Sequence, residues 1–150
     1  RRTAKACRHA DQVHTFRALD RLLPQADFVV LAVPLTADTR NLLSRARLRM
    51  LKPECSVINI ARAQVMDYAA LADLLTSGKI AGAIVDVVDP EPLAADSRLW
   101  DVPNLIITPH ISCDDFGHYA QLTLDLVFDN LARRLRRRPL KNQVDRKLGY

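Results

Sequence analysis

Apolar residues in this chain gather into four short runs: "DFVVLAV" (27–33), "CSVINIA" (55–61), "IAGAIVDVV" (80–88) and "NLIITP" (104–109). Each is rich in valine and isoleucine with little polar alternation, the pattern of strands covered on both faces in a parallel sheet. Between the runs, apolar positions recur at helical spacing. "VHTFRALDRLLPQ" sets Phe16, Leu19, Leu22 and Leu23 on one face, and "TRNLLSRARLRMLK" does so with Leu42, Leu43, Leu48 and Leu51. "DYAALADLLTSGK" opens at an N-cap candidate, Asp67, and stops at Gly78, which suits a C-cap. "DDFGHYAQLTLDLVFDNLARRLRRR" reads as one long helix with Tyr119, Leu122, Leu126 and Leu131 towards a core. Strands alternating with helices imply right-handed βαβ crossovers and a doubly wound α/β sheet.

Composition narrows the class. The 150 residues are 49% hydrophobic and 26% charged, which describes one globular domain with a real core. No apolar run approaches the roughly 18 residues of a membrane helix, so no membrane partner is expected. The chain opens "RRTAKACRHA" without methionine or a signal pattern, which reads as a cut into a longer polypeptide. Three scattered cysteines, Cys7, Cys55 and Cys113, suit a reducing compartment, and the cytoplasm is expected. "CRHADQVH" matches no standard zinc spacing and is read as surface, so no metal site is expected. The net charge of +5 comes mostly from the two ends. The arginines of 133–138 suit a solvated helix end at the negative pole of its dipole. Aromatic residues are not interleaved with them, so no nucleic-acid partner is expected.

The ends of the strands carry the chemistry. In open parallel sheets, ligands bind beyond the carboxyl ends of the strands. Here the first strand runs out into "VPLTADT", the second into Arg62, the third into "DVVDPEP" with Asp86, Asp89 and Glu91, and the fourth into His110. A histidine can give or take a proton near neutral pH. A neighbouring carboxylate such as Glu91 would favour the imidazolium and orient the ring. An arginine offers a planar fork for a substrate carboxylate and polarises an adjacent carbonyl. Each residue has a plain reading as well: Arg62 as a salt-bridged strand end, His110 beside a helix cap, Glu91 exposed in a proline-rich turn. Three such residues at successive strand ends suit hydride exchange between a nicotinamide and a 2-keto or 2-hydroxy acid.

"VVLAVPLTADTRNLLS", "VINIARAQVMDYAALADLLTSGKIAGAIVDVVDPEPL" and "LWDVPNLIITPHIS" together resemble the D-isomer-specific 2-hydroxyacid dehydrogenases. The resemblance runs from about residue 15 to 131 in three ordered motifs. It implies a Rossmann-like doubly wound sheet with flanking helices, truncated at its N-terminus. Residues 1–131 would form part of the NAD(P)-binding domain, and 132–150 a basic tail returning toward a substrate domain. Relatives of this kind are two-domain enzymes that use NAD or NADP, usually as homodimers. Carried over, Arg62 resembles the substrate-binding arginine, Glu91 the partner of the histidine and His110 the acid/base. For the cofactor, Val33 and Pro34 match the motif lining the adenosine side, and Thr39 a position near it. Ile60, Ala61 and Arg62 match the loop beside the nicotinamide, which His110 also borders, and Asp86 matches the aspartate that binds the carboxamide.

The chain also departs from the family pattern. Ala63 stands where a glycine usually follows the arginine, a small change unless that backbone needs positive φ. "ISCDD" follows His110 where relatives have small residues, and Asp114 or Asp115 is expected to cap the final helix. The glycine-rich "GxGxxG" phosphate loop is not within these residues. Near the family's ribose-binding acidic position the chain has "RRT", and Arg1 or Arg2 would suit a 2'-phosphate, which favours NADP. The expectation is therefore part of an oxidoreductase whose isolated 150 residues bind cofactor poorly and turn over nothing. The alternative is a dinucleotide-sensing binding protein or assembly module of the same fold.

Overall fold

The computed structural model describes residues 4–113, 115 and 117–147. Strands β1 (Phe28–Leu31), β2 (Ser56–Asn59), β3 (Gly82–Val85) and β4 (Leu105–Ile107) form one parallel sheet in the order β1-β2-β3-β4. Each lies inside one of the four apolar runs, and the α/β class expected from them is the class observed. Helix α1 (Leu19–Leu22) precedes β1, α2 (Arg45–Leu48) joins β1 to β2, and α3 (Tyr68–Thr76) joins β2 to β3. A 3-10 turn at Arg98–Asp101 lies between β3 and β4, and α4 (Tyr119–Leu135) follows the sheet.

The helix with the clearest sequence signals forms as expected. Asp67 accepts a hydrogen bond from the Ala70 amide at 2.8 Å, satisfying a donor that the first turn of α3 leaves open. At the other end Gly78 takes φ +63°, and its amide bonds the Leu75 carbonyl while the Lys79 amide bonds that of Leu74. This paired closure is the Schellman arrangement, which glycine enters without steric cost. Five α3 residues, among them Leu71, Leu74 and Leu75, are buried against the sheet.

Two other helices are shorter than their apolar spacing suggests. Between residues 13 and 25 one turn of α-helix is flanked by 3-10 turns, Phe16–Ala18 and Leu23–Gln25. Between 39 and 52 only Arg45–Leu48 is helical. Asn41 takes φ +53°, and the Asn41 and Leu43 amides donate to the carbonyls of Gln64 and Val65. Backbone pairing with that neighbouring loop replaces the first helical turn, while Leu42, Leu43, Leu48 and Leu51 still reach the core.

Among the described residues of the first unit, one face of the sheet is covered and the other is not. Val57, Asn59, Ala83 and Val85 point into the core, together with Leu31. On the opposite face Val30, Ile58, Ile84 and Ile106 align in register as one row across all four strands. Of that row Val30 is 55% exposed, Ile84 39% and Ile106 57%.

The chain divides into two compact units, Arg1–His110 and Ile111–Tyr150. In the second, Tyr119, Leu122 and Leu131 are exposed, Leu126 is only half-buried, and α4 has no buried residue. Within this unit α4 therefore has no apolar core of its own. Its partners within the unit are polar: Asn130 bonds the Lys141 backbone, and Asp129 pairs with Arg133 and Lys141. The Asp115 carboxylate accepts from the Gly117 and His118 amides in the turn before α4, but the N-cap position is His118 and makes no side-chain cap bond, so Asp115 does not cap the helix as expected; Asp114 lies outside the described residues.

Candidate active site

Because the four strands run parallel, their carboxyl ends meet at one rim, and ladder bonds continue into the loops there. The Ile60 amide donates to Leu31, Asp86 to Asn59 and Thr108 to Val85, at 3.1, 2.9 and 2.9 Å. Arg62, Glu91 and His110 therefore follow neighbouring strands β2, β3 and β4 on the same edge.

His110 Nδ1 lies 2.8 Å from Glu91 Oε1, with the two side chains 39% and 43% exposed. A carboxylate only accepts, so Nδ1 carries the proton, and Nε2 is the nitrogen that can exchange one with a ligand. His110 also takes φ +59°. Side chains rarely occupy that left-handed region, and where they do the conformation often belongs to a functional site.

Arg62 stands in extended backbone at the head of the 3-10 turn Ala63–Val65, and its Nη1 donates to the Ala61 carbonyl at 2.6 Å. Among the described residues its guanidinium forms no ion pair with a carboxylate. Ala63 does not have positive φ, so alanine in place of the family's glycine is unstrained here.

The remaining sequence candidates divide by burial. Asp86 is buried at the end of β3 and accepts from the Thr108 hydroxyl at 2.6 Å, which ties β3 to β4 just below the histidine. Val33 is half-buried and Pro34 exposed in the loop after β1; Ile60 is exposed and Ala61 buried after β2. Thr39 is buried, and its hydroxyl is used within its own turn. It donates to the Pro34 carbonyl at 2.6 Å and accepts from the Thr36 amide at 2.8 Å. Arg1 and Arg2 lie outside the described residues.

Sequence reasoning did not single out Asn59, Gln64, Tyr68 or Thr108. Asn59 is fully buried; its Oδ1 accepts from the Ala61 amide at 3.0 Å, and its Nδ2 donates to the Arg62 carbonyl and the Tyr68 hydroxyl, both at 3.2 Å. Gln64 Nε2 donates to Asp89 at 2.9 Å. An asparagine inside the apolar run "VINIA", two positions after an inward valine, was the available signal.

A cavity of about 590 Å³ that none of Arg62, Glu91 and His110 lines is bordered mostly by apolar side chains such as Phe16, Leu19, Val29 and Leu42. Val33 is the one proposed contact residue that borders it. Arg62, Glu91 and His110 sit instead on the open edge, where the strand ends put them.

With this geometry, the chain compares as follows with known proteins. Residues 1–112 match the family "D-isomer specific 2-hydroxyacid dehydrogenase, NAD binding domain". The chain is 45% identical over 116 residues to a glyoxylate reductase of Pyrococcus horikoshii, covering 77% of this chain and 34% of that protein. It is 43% identical over 107 residues to glyoxylate/hydroxypyruvate reductase B of Pectobacterium carotovorum, covering 69% and 33%. It thus spans about a third of the length of these relatives. A D-isomer specific 2-hydroxyacid dehydrogenase from Xanthobacter autotrophicus, solved with NADPH and MES, superposes with a TM-score of 0.90 at 37% identity. That match covers 100% of this chain and 61% of the solved one. An NADPH-dependent glyoxylate/hydroxypyruvate reductase from Sinorhizobium meliloti, solved with NADP and sulfate, gives 0.89 at 30% identity, over 100% and 48%. On the match of residues 1–112, and with the parallel sheet they fold into, the chain belongs to the D-isomer specific 2-hydroxyacid dehydrogenases and carries their NAD binding domain.

Proposed function

We propose that these residues are the catalytic edge of a cytoplasmic, homodimeric NAD(P)H-dependent reductase of small 2-keto acids such as glyoxylate or hydroxypyruvate. The observation that carries the reading is the 2.8 Å bond between His110 and Glu91, two residues brought together from the ends of different strands. The relatives' named activities point to the same substrates.

In this reading Arg62 holds the substrate carboxylate and draws electron density from the adjacent carbonyl. His110 Nε2 gives its proton to the carbonyl oxygen as the carbonyl carbon is reduced, and Glu91 stabilises the ring through Nδ1 in both protonation states. The nicotinamide, when bound, supplies the hydride. Asp86 is the acceptor for its carboxamide; Ile60 and Ala61 flank its ring, and Val33 and Pro34 face the adenosine half. Thr39 acts by shaping the turn that presents Pro34. The apolar pair and the buried carboxylate suit those two ends of a dinucleotide. NADP(H) is the preferred form in this proposal: two of the solved relatives hold NADPH or NADP, and Arg1 or Arg2 would meet the 2'-phosphate.

The test is steady-state reduction of glyoxylate and hydroxypyruvate by the full gene product with NADPH and NADH. NADPH is expected to give the larger kcat/KM, and His110→Ala to lower kcat by about 10²–10⁴-fold with cofactor binding retained. The 150 residues alone are expected to be inactive. Failure of the full product to reduce any 2-keto acid would overturn the assignment, and partner binding unaffected by His110→Ala would then favour a dinucleotide-sensing scaffold.

A further inference from the structure

We infer that Tyr68 is a positioning residue whose hydroxyl joins the loop of Arg62 to the loop that leads to Glu91. The inference rests on the catalytic reading above and adds to it a group that touches neither substrate nor cofactor.

Tyr68 opens α3 directly after the Asp67 cap, so its backbone is set by the helix start. Its hydroxyl donates to the Val87 carbonyl, just past the end of β3, and accepts from Asn59 Nδ2. The same Asn59 amide donates to the Arg62 carbonyl, and Asn59 Oδ1 takes the Ala61 amide. A continuous path of hydrogen bonds thus runs from Arg62 through Asn59 and Tyr68 to Val87, four residues before Glu91. Asn59 is fully buried and Val87 nearly so, and a buried polar group left without its partner keeps the whole cost of its desolvation. The parallel tie, Gln64 to Asp89, is exposed and weaker as an anchor. Burial holds the Tyr68 phenol protonated well above its ordinary range, with the charge of Glu91 adding in the same direction. The hydroxyl therefore remains a donor throughout the pH range in which His110 would work.

The chemistry explains why such a tie matters. Arg62 must fix the carboxylate while His110, oriented by Glu91, reaches the carbonyl oxygen of the same small molecule. The two loops come from different crossovers, and a displacement of about 1 Å between reacting groups is enough to cost about 10²-fold in rate. Tyr68 makes one rigid body of the two loops.

The experiment compares the unsubstituted protein with Tyr68→Phe, which keeps the ring and removes the hydroxyl. Exchange of the Ala61 amide is expected to rise about tenfold or more, while the Ser56 and Ala83 amides, bonded to Asp27 and Asn104, keep their rates. In the full gene product kcat/KM for the keto acid is expected to fall about 10- to 100-fold, with cofactor affinity held within about twofold. A purely structural tyrosine would instead speed exchange at all three amides alike, and that result overturns the inference. So does unchanged Ala61 exchange, or faster exchange with kcat/KM intact. If the unsubstituted gene product reduces no keto acid, the catalytic reading fails by itself; Ala61 exchange then upholds or overturns the tie alone.

Discussion

His110 combines two features that rarely coincide by chance: a left-handed backbone and a side-chain bond to a carboxylate 19 residues away. Its place at the end of β4 was readable from "NLIITPH", and Arg62 in the same way because it closes an apolar run, whereas the third run offered Asp86, Asp89 and Glu91 and the resemblance selected Glu91. Asn59 left a signal as a polar residue inside an apolar run, but Tyr68 was not readable, because its role depends on hydrogen bonds to Asn59 and Val87 that residue type alone does not reveal. The sheltered phenol has a consequence for stability. Its folded-state ionisation is raised, so its contribution is complete below about pH 10, the unfolded value, and declines as pH climbs from there toward the folded value. The buried Cys55 thiol, also raised by desolvation, adds an earlier decline of the same sign. Urea midpoints measured from pH 7 to 11 should therefore fall on the alkaline side. Tyr68→Phe should flatten the limb above about pH 10 and leave the earlier Cys55 part in place.

At the scale of elements, capping residues proved better guides than apolar spacing. Asp67 and Gly78 bracket α3 correctly because each satisfies backbone groups that any helix of that length must leave open. The spacing of Leu42, Leu43, Leu48 and Leu51 identified core residues but not their conformation, since a turn that ends in a bridge at Leu43 buries leucines equally well. Gly78 provides a clean test of the capping argument. A Cβ there would meet nothing within 4 Å, so any penalty of substitution comes from φ +63° and not from crowding. Gly78→Ala should destabilise by about 1 kcal/mol, and Gly78→Asn by clearly less, as read by denaturant midpoint at constant slope.

At the scale of the molecule, the two faces of the sheet differ in kind. Leu71, fully buried beneath one face, should lose about 2–5 kcal/mol on substitution by alanine. Ile106, in the exposed row on the other, should tolerate threonine within about 0.5 kcal/mol. Equal losses in equilibrium unfolding would show that the row is covered in solution. The alternation of valine and isoleucine could not distinguish these faces, because both are equally apolar in the sequence, and only the packing of α3 and of leucines such as Leu43 and Leu48 makes one of them interior. Unfolding heat capacity follows the apolar area that passes from shelter into water. The row Val30–Ile58–Ile84–Ile106 is already about half wetted before the chain unfolds, so it adds less to that change than a buried row would. This sheet therefore has a flatter dependence of stability on temperature than its valine and isoleucine content suggests.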